Sequence, residues 1–299
     1  MDTGGFSWTN PDVQPVEQPP SGPSRRQIGM VAVATLAIAA ALLAFTVLGS
    51  SDSKLSPIAQ AAEKTNTYSG GRMTMEGSMT SATLSGPVQL SSDMAFDNAA
   101  GKVRGTFSIN GPPPVGSLSG TEIVSGNKHY VSSPALPAPA GKTWMRIPSQ
   151  ATAGGDSGEP FSLADPTDQL AVLESVSGGV GVVGREQIRG DATTHYFANI
   201  SFDKEAELLR AVGEGENADM VDEVADLSVT DGIPINVWID TRGLVRRLTF
   251  TIVVDQGGGS GAINMSMDFF GFGSKPKIEV PPADQVYEGS PQMLDSLSS

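Results

Sequence analysis

The chain has 299 residues, of which 33 are Asp or Glu and 19 are Lys or Arg, a formal net charge of −14. Such a surface repels phosphate backbones and anionic headgroups, so binding of nucleic acid is not expected. The absence of cysteine excludes disulfides, thiolate metal sites, a cysteine nucleophile and lipid attachment at cysteine together.

Met1–Gln27 is rich in Pro, Gly, Ser and Gln and has nothing to bury, so a disordered tail is expected. The next 21 residues, Ile28–Leu48, carry no charge. As a helix this run would span roughly 31 Å, the thickness of a bilayer's hydrocarbon core. It is too long, and Asp2, Asp12, Glu17 and Pro11–Pro23 before it too unlike a basic leader, for a cleavable signal peptide. The expectation is an uncleaved transmembrane anchor. Arg25 and Arg26 flank its start, whereas Gly49–Ser53 carries only Asp52. The positive-inside rule then puts the N-terminus in the cytoplasm and the remainder outside the cytoplasmic membrane. Val47-Leu48-Gly49-Ser50 resembles a lipoprotein processing box with serine in place of the modified cysteine. Gly49–Lys54 is a short linker, residues 55–286 form one ectodomain, and residues 287–299 read as a flexible tail.

Most of the ectodomain has period two. Met73, Met75, Val88, Leu90, Met94 and Phe96 alternate with small or polar residues. The pattern returns in Val103–Ile109, Glu122–Val131, Thr194–Ile200, Ile235–Asp240, Leu248–Val254 and Ile263–Phe269. Such alternation marks half-buried strands. Turns are expected at Asp97–Gly101, Ser125-Gly126-Asn127, Asp240–Gly243 and Gly257-Gly258-Gly259. Short spacing between strands predicts one large antiparallel sheet. Three helices interrupt it: Pro57–Thr65, a segment from Asp165 to about Val176 with Asp at its N-cap and Pro at its first position, and Asp203–Val212. Pro134–Ala140 and Ser149–Glu159 read as loops.

Three motifs do not carry their usual chemistry. Gly179–Gly184 satisfies the dinucleotide-loop pattern, but the helix is expected before it and the strand after, the reverse of what a pyrophosphate site needs. Gly155-Asp156-Ser157-Gly158 resembles a serine-protease nucleophile loop, yet no base is indicated for the serine. Arg189-Gly190-Asp191 has the adhesion tripeptide but reads as a hairpin turn with Gly-Asp in the tight positions. His129 and His195 lie far apart without metal-ligand spacing, and His195 reads as a strand residue. Asn199-Ile200-Ser201 and Asn264-Met265-Ser266 fit the glycosylation triplet but fall in expected strands. No catalytic residue, metal or cofactor is indicated.

Four segments in order carry a family resemblance: Pro57–Thr65; Gly184–Tyr196; Pro234–Asp240 with Gly243–Arg247; and Phe272-Gly273 with Ile278–Val286. They are similar to the first helix, the central hairpin, the P-V-x-V-W-V-D/G-L-V-R-R hairpin and the closing strand of the LolA-like fold. The likeness is to the actinobacterial LppX/LprA/LprF/LprG group of cell-surface lipoproteins. This resemblance implies a mostly β (α+β) architecture, a strongly curved antiparallel sheet or incomplete barrel with about three covering helices. It also implies an apolar cavity holding the acyl chains of lipids or lipoglycans, and a non-enzymatic lipid-binding or lipid-transfer role. Family members commonly carry a lipobox cysteine; here the helix stands in its place, which tethers the domain.

Six of the eleven methionines, Met73, Met75, Met79, Met94, Met265 and Met267, lie on or beside expected strands. Residues of equal parity in a strand share a face, and methionine adapts to variable apolar ligands. The same residues could fill an ordinary core. Expected lining residues are Met75, Met94, Phe107, Trp238, Phe250, Met265 and Met267. The alternative to a lipid carrier is a sensor or scaffold of the cell envelope, as in RseB-like regulators, with an unidentified envelope protein as partner.

Overall fold

The structure is a computed structural model, and it describes residues 56–82, 84–113, 115–147, 179–211, 215–255 and 259–289. The apolar run Ile28–Leu48, the loop Ser149–Glu159, the expected helix from Asp165 and the tail beyond Gly289 lie outside the described residues. Among the described residues no helix is long and apolar enough to cross a membrane.

Twelve strands form one open, curved sheet. In chain order they are β1 (Gly70–Thr80), β2 (Val88–Asp97), β3 (Lys102–Asn110), β4 (Ser117–Ser125), β5 (Lys128–Ser132), β6 (Trp144–Ile147), β7 (Gly181–Ile188), β8 (Asp191–Ser201), β9 (Gly232–Asp240), β10 (Val245–Asp255), β11 (Ser260–Phe270) and β12 (Val286–Glu288). Their spatial order is β12-β6-β5-β4-β3-β2-β1-β11-β10-β9-β8-β7. The expected alternating segments are all strands, and the reason is physical: each presents one apolar and one polar row to the two faces of a pleated sheet.

The structure differs from expectation in several places. The sheet is mixed, because β12 runs parallel to β6. Of Ile278–Val286 only Val286 is in a strand; the chain from Ser274 to Pro282 is irregular and ends in a 3-10 turn at Ala283–Gln285. β12 then extends two residues into the stretch read as a tail. The strand expected after Gly179–Gly184 begins within it, because Gly181–Gly184 is already part of β7. At the next turn Ile188 pairs with Asp191, so the two tight positions are Arg189 and Gly190, at φ 50° and 87°. Both lie in the left-handed region that the primed hairpin turns require.

Three helices are described. α1 (Pro57–Asn66) starts where the Ser56 hydroxyl accepts the Ala59 N–H at 3.1 Å, with proline at the first helical position. Its buried face is Ile58, Ala61, Ala62 and Thr65, a helical repeat of small side chains that brings it close to β9 and β10. There the Val245 N–H donates to Thr65 Oγ1 at 2.9 Å. α2 (Phe202–Ala211) begins at the residue after β8, near its expected span. α3 (Gly215–Leu227) lies where the sequence predicts no element. Packing accounts for it: Ala218 and Val221 are buried in the main core, and Arg210 of α2 pairs with Asp219 and Asp222 of α3.

The main core lies on one face of the sheet, beneath the helices. A smaller cluster lies on the other face, where Ile278 in the C-terminal segment covers Ile123 and Tyr130, flanked by Trp144 and Val286.

Candidate functional site

Directly paired residues in neighbouring strands share a face, so the register assigns every side chain to one side of the sheet. One row of the face bearing the main core, here the inner face, runs Gly120, Phe107, Ser92, Met75, Met267, Leu248, Val237, Tyr196 from β4 to β8. The next runs Leu118, Ile109, Leu90, Gly77, Met265, Phe250, Ile235, Ala198. A third row of the same inner face runs Glu122, Gly105, Met94, Met73 and Phe269 from β4 to β11. Six expected lining residues, Met75, Met94, Phe107, Phe250, Met265 and Met267, thus share the inner face. All are buried except Phe107, which is half-buried.

Glycine shapes this surface. A Cβ on Gly77 would stand 2.5 Å from Met265 Sδ, on Gly105 2.8 Å from Met94 Cγ, on Gly120 2.8 Å from Phe107 Cζ, and on Gly71 2.7 Å from Phe96 Cζ. Four large side chains therefore lie down in gaps left by glycines on adjacent strands. Two of the four are methionines, whose unbranched thioether chains rearrange at low cost. At the β8–β10 end, Ile58, Ala61 and Ala62 of α1, Phe202 and Ala206 of α2, and Ala218 and Val221 of α3 join the same apolar cluster. Toward β2 half-buried Leu90 packs against the cluster, and half-buried Phe107, Ile109 and Leu118 lie on the same face over β3 and β4.

Trp238 is a correction. It points to the opposite, outer face, its indole stacked on His195 at 4.1 Å between ring centroids and 13° between planes. Its Nε1–H donates to Glu186, and the Arg247 guanidinium lies 5.9 Å from its ring centroid. The alternation already contained this result: Ile235, Val237 and Ile239 face the core, so Asn236, Trp238 and Asp240 face away from those three.

The same outer face engages both charges of Arg189-Gly190-Asp191. Arg189 donates to Asp268 at 3.0 Å and to Thr74 Oγ1 at 2.7 Å, with its guanidinium 4.1 Å from the centroid of the Phe270 ring. Asp191 pairs with Arg246. Arg246 is buried, and that burial lowers the pKa of its guanidinium. Burial pushes the Asp268 carboxyl up, but Arg247 and Arg189 outweigh it and hold it below the ordinary carboxylate range.

Glu122 and His129 were not among the expected site residues. His129 Nε2 lies 3.2 Å from Glu122 Oε2, and each side chain is 12% exposed. Across the turn at Gly126-Asn127, Val124 pairs with His129 and Glu122 with Val131, so both polar residues share the inner face with the two valines. Hairpin parity around Ser125-Gly126-Asn127 was the available signal.

No family model matches the chain, and no curated protein sequence does. Among solved structures it is similar to LprF from Mycobacterium bovis, at 17% identity and a TM-score of 0.43, over 77% of this chain and 99% of that one. It is similar also to the lipoprotein LppX from Mycobacterium tuberculosis, at 16% identity and a TM-score of 0.42, over 75% of this chain and 96% of that one. A third likeness, to a DUF1329 family protein from Desulfovibrio piger, has 10% identity and a TM-score of 0.26, over 72% and 89% of the two chains. LprF and LppX bear names from the group that the hairpin motifs resemble.

Proposed function

We propose that this chain is a membrane-tethered, extracytoplasmic lipid-binding protein that holds acyl chains against the inner face of its sheet, without enzymatic chemistry. One observation carries the reading. Met73, Met75, Met94, Met265 and Met267 are buried together on one face, over strands whose glycines let large side chains lie flat. A core needing only rigidity is better served by branched side chains with fewer rotamers. A surface of thioethers suits ligands of variable length and unsaturation, and half-buried Leu90, Phe107, Ile109 and Leu118 extend it toward β4. Burial of each methylene contributes about 0.8 kcal/mol, so about ten methylenes shielded here correspond to a Kd on the order of micromolar.

The tether follows from Ile28–Leu48 and the arginines before it. The six linker residues Gly49–Lys54 reach roughly 20 Å when extended, which keeps any lipid exchange close to the outer leaflet.

The test is lipid retention by the full chain, delipidated in detergent, incubated with a lipid extract and weighed by native mass spectrometry. Stoichiometric retention is expected. Met94→Trp and Met265→Trp should each abolish it while circular dichroism shows unchanged strand content. Unaltered retention in both folded variants would remove the inner face as the binding surface, and no retention by the parent chain would favour a sensor or scaffold.

A further inference from the structure

We propose that the Glu122–His129 pair is a polar subsite for a hydroxyl group on an otherwise apolar ligand. The inference deepens the lipid-binding reading and rests on it. Across β1–β6 the inner-face positions are Met, Val, Leu, Ile, Phe, Gly and one Ser, except for Glu122 and His129. The single serine, Ser92, donates to the Thr106 carbonyl at 2.9 Å and is thereby satisfied. His129 is not. Its Nδ1 is buried and has no hydrogen-bond partner among the described residues.

The pair is interior on both sides. On the outer face of the same hairpin, Ile123 and Tyr130 are buried under Ile278. A buried polar couple in such a place is not explained by stability, because apolar residues of similar volume usually serve as well or better. A buried acceptor left without a donor is itself destabilising.

The chemistry of the missing partner follows from the tautomer. The Glu122 carboxylate can only accept, so the ring proton facing it sits on His129 Nε2. In the neutral ring Nδ1 then presents a lone pair, and what it lacks is a donor. A hydroxyl supplies one and adds no charge beside the carboxylate. A phosphodiester or a carboxylate would offer only acceptors where a donor is missing and would meet the negative charge of Glu122. Glu122 lies in one ladder row with Gly105, Met94 and Met73, three strand spacings or roughly 14 Å from β4 to β1. A hydroxyl held at the pair therefore leaves the attached acyl chains on the methionine surface. The ligand class is a neutral hydroxylated acyl lipid, such as a diacylglycerol or the sugar of a glycolipid.

The test uses the full chain, delipidated in detergent, with one probe that carries the hydroxyl donor and one in which it is capped: 1,2-dioleoylglycerol and its 3-acetyl ester. In equimolar competition, native mass spectrometry should show the free alcohol retained about fivefold to tenfold over the ester, the effect of one hydrogen bond to a buried group. The double variant Glu122→Leu/His129→Phe removes both polar partners, avoids a stranded carboxylate and should bind the two probes equally while keeping its affinity for the ester. Glu122→Gln retains an acceptor for Nε2–H and should keep the preference. Equal retention of both probes by the parent chain would overturn the subsite and leave the lipid-binding reading standing. Persistence of the preference in the folded double variant would also overturn the subsite. Retention of neither probe would overturn both.

Discussion

Asp268 shows how single residues on the outer face hold distant strands together. Its carboxylate accepts from Arg247 on the neighbouring strand and from Arg189 in the β7–β8 turn, and Arg189 reaches on to Thr74 of β1. The adhesion-like tripeptide is a clasp, with both charged ends turned onto the sheet. Because the folded-state pKa of Asp268 is depressed, its contribution to stability is present above the unfolded value near pH 3.9 and is lost as pH falls through the lower folded value. Asp268→Asn should therefore destabilise the β domain at pH 7, by on the order of 1 kcal/mol once solvent screening is allowed for. The difference from the parent should shrink below about pH 4. Paired urea titrations at pH 7 and pH 3 check this, and an equal gap at both would show that the carboxylate's charge contributes nothing.

At the scale of elements, strands were easier to read than helices because the two kinds of element carry their information differently. Val103–Ile109 and Ile263–Phe269 declare themselves locally, by alternation. α3 has a buried face of small residues, Ala218 and Val221, and forms because α2 and the core are there to receive it. β12 has three residues and no pattern of its own; β6 makes it a strand. The same dependence on neighbours governs the inner face, where Gly77 on β1 is defined by Met265 on β11. Gly77→Ala places a methyl 2.5 Å from Met265 Sδ but 3.5 Å from the nearest backbone atom, the Asn264 carbonyl oxygen. The flexible thioether should lift and the strands should stay. The expected outcome is a folded protein, destabilised by no more than about 1–3 kcal/mol, with reduced lipid retention. Native mass spectrometry beside thermal unfolding checks it; undiminished retention would show that the ligand does not use the space above Gly77.

For the whole molecule, the proposal joins a tether to a binding face. α1 is where the two meet: it starts at Pro57, nine residues after Leu48, and docks on the β9–β10 hairpin through Thr65 and Val245. The tether would thus end against the sheet rather than in a loose stalk. A chain tagged at its N-terminus should fractionate with membranes and keep its tag, with the ectodomain accessible from outside. Recovery of a soluble form beginning near Ala62 would instead mark the apolar run as a processed leader.

The sequence by itself determined the class of the molecule: a mostly β domain, its strand faces, its main turns and a charge-free apolar run ahead of it. These are local properties, since period, turn residues and charge-free length are written in consecutive residues. The tertiary structure decided which strands are neighbours, and with them the properties of the inner face. Parity along Ile235–Asp240 was enough to turn Trp238 outward, yet only pairing with β8 and β10 gave it His195 and Arg247 as companions. No local pattern could show that Met265 fills the gap at Gly77, or that the surface around the Glu122–His129 hairpin pair is apolar. Those contacts join residues brought together by register, and register is a property of pairs of strands rather than of either one.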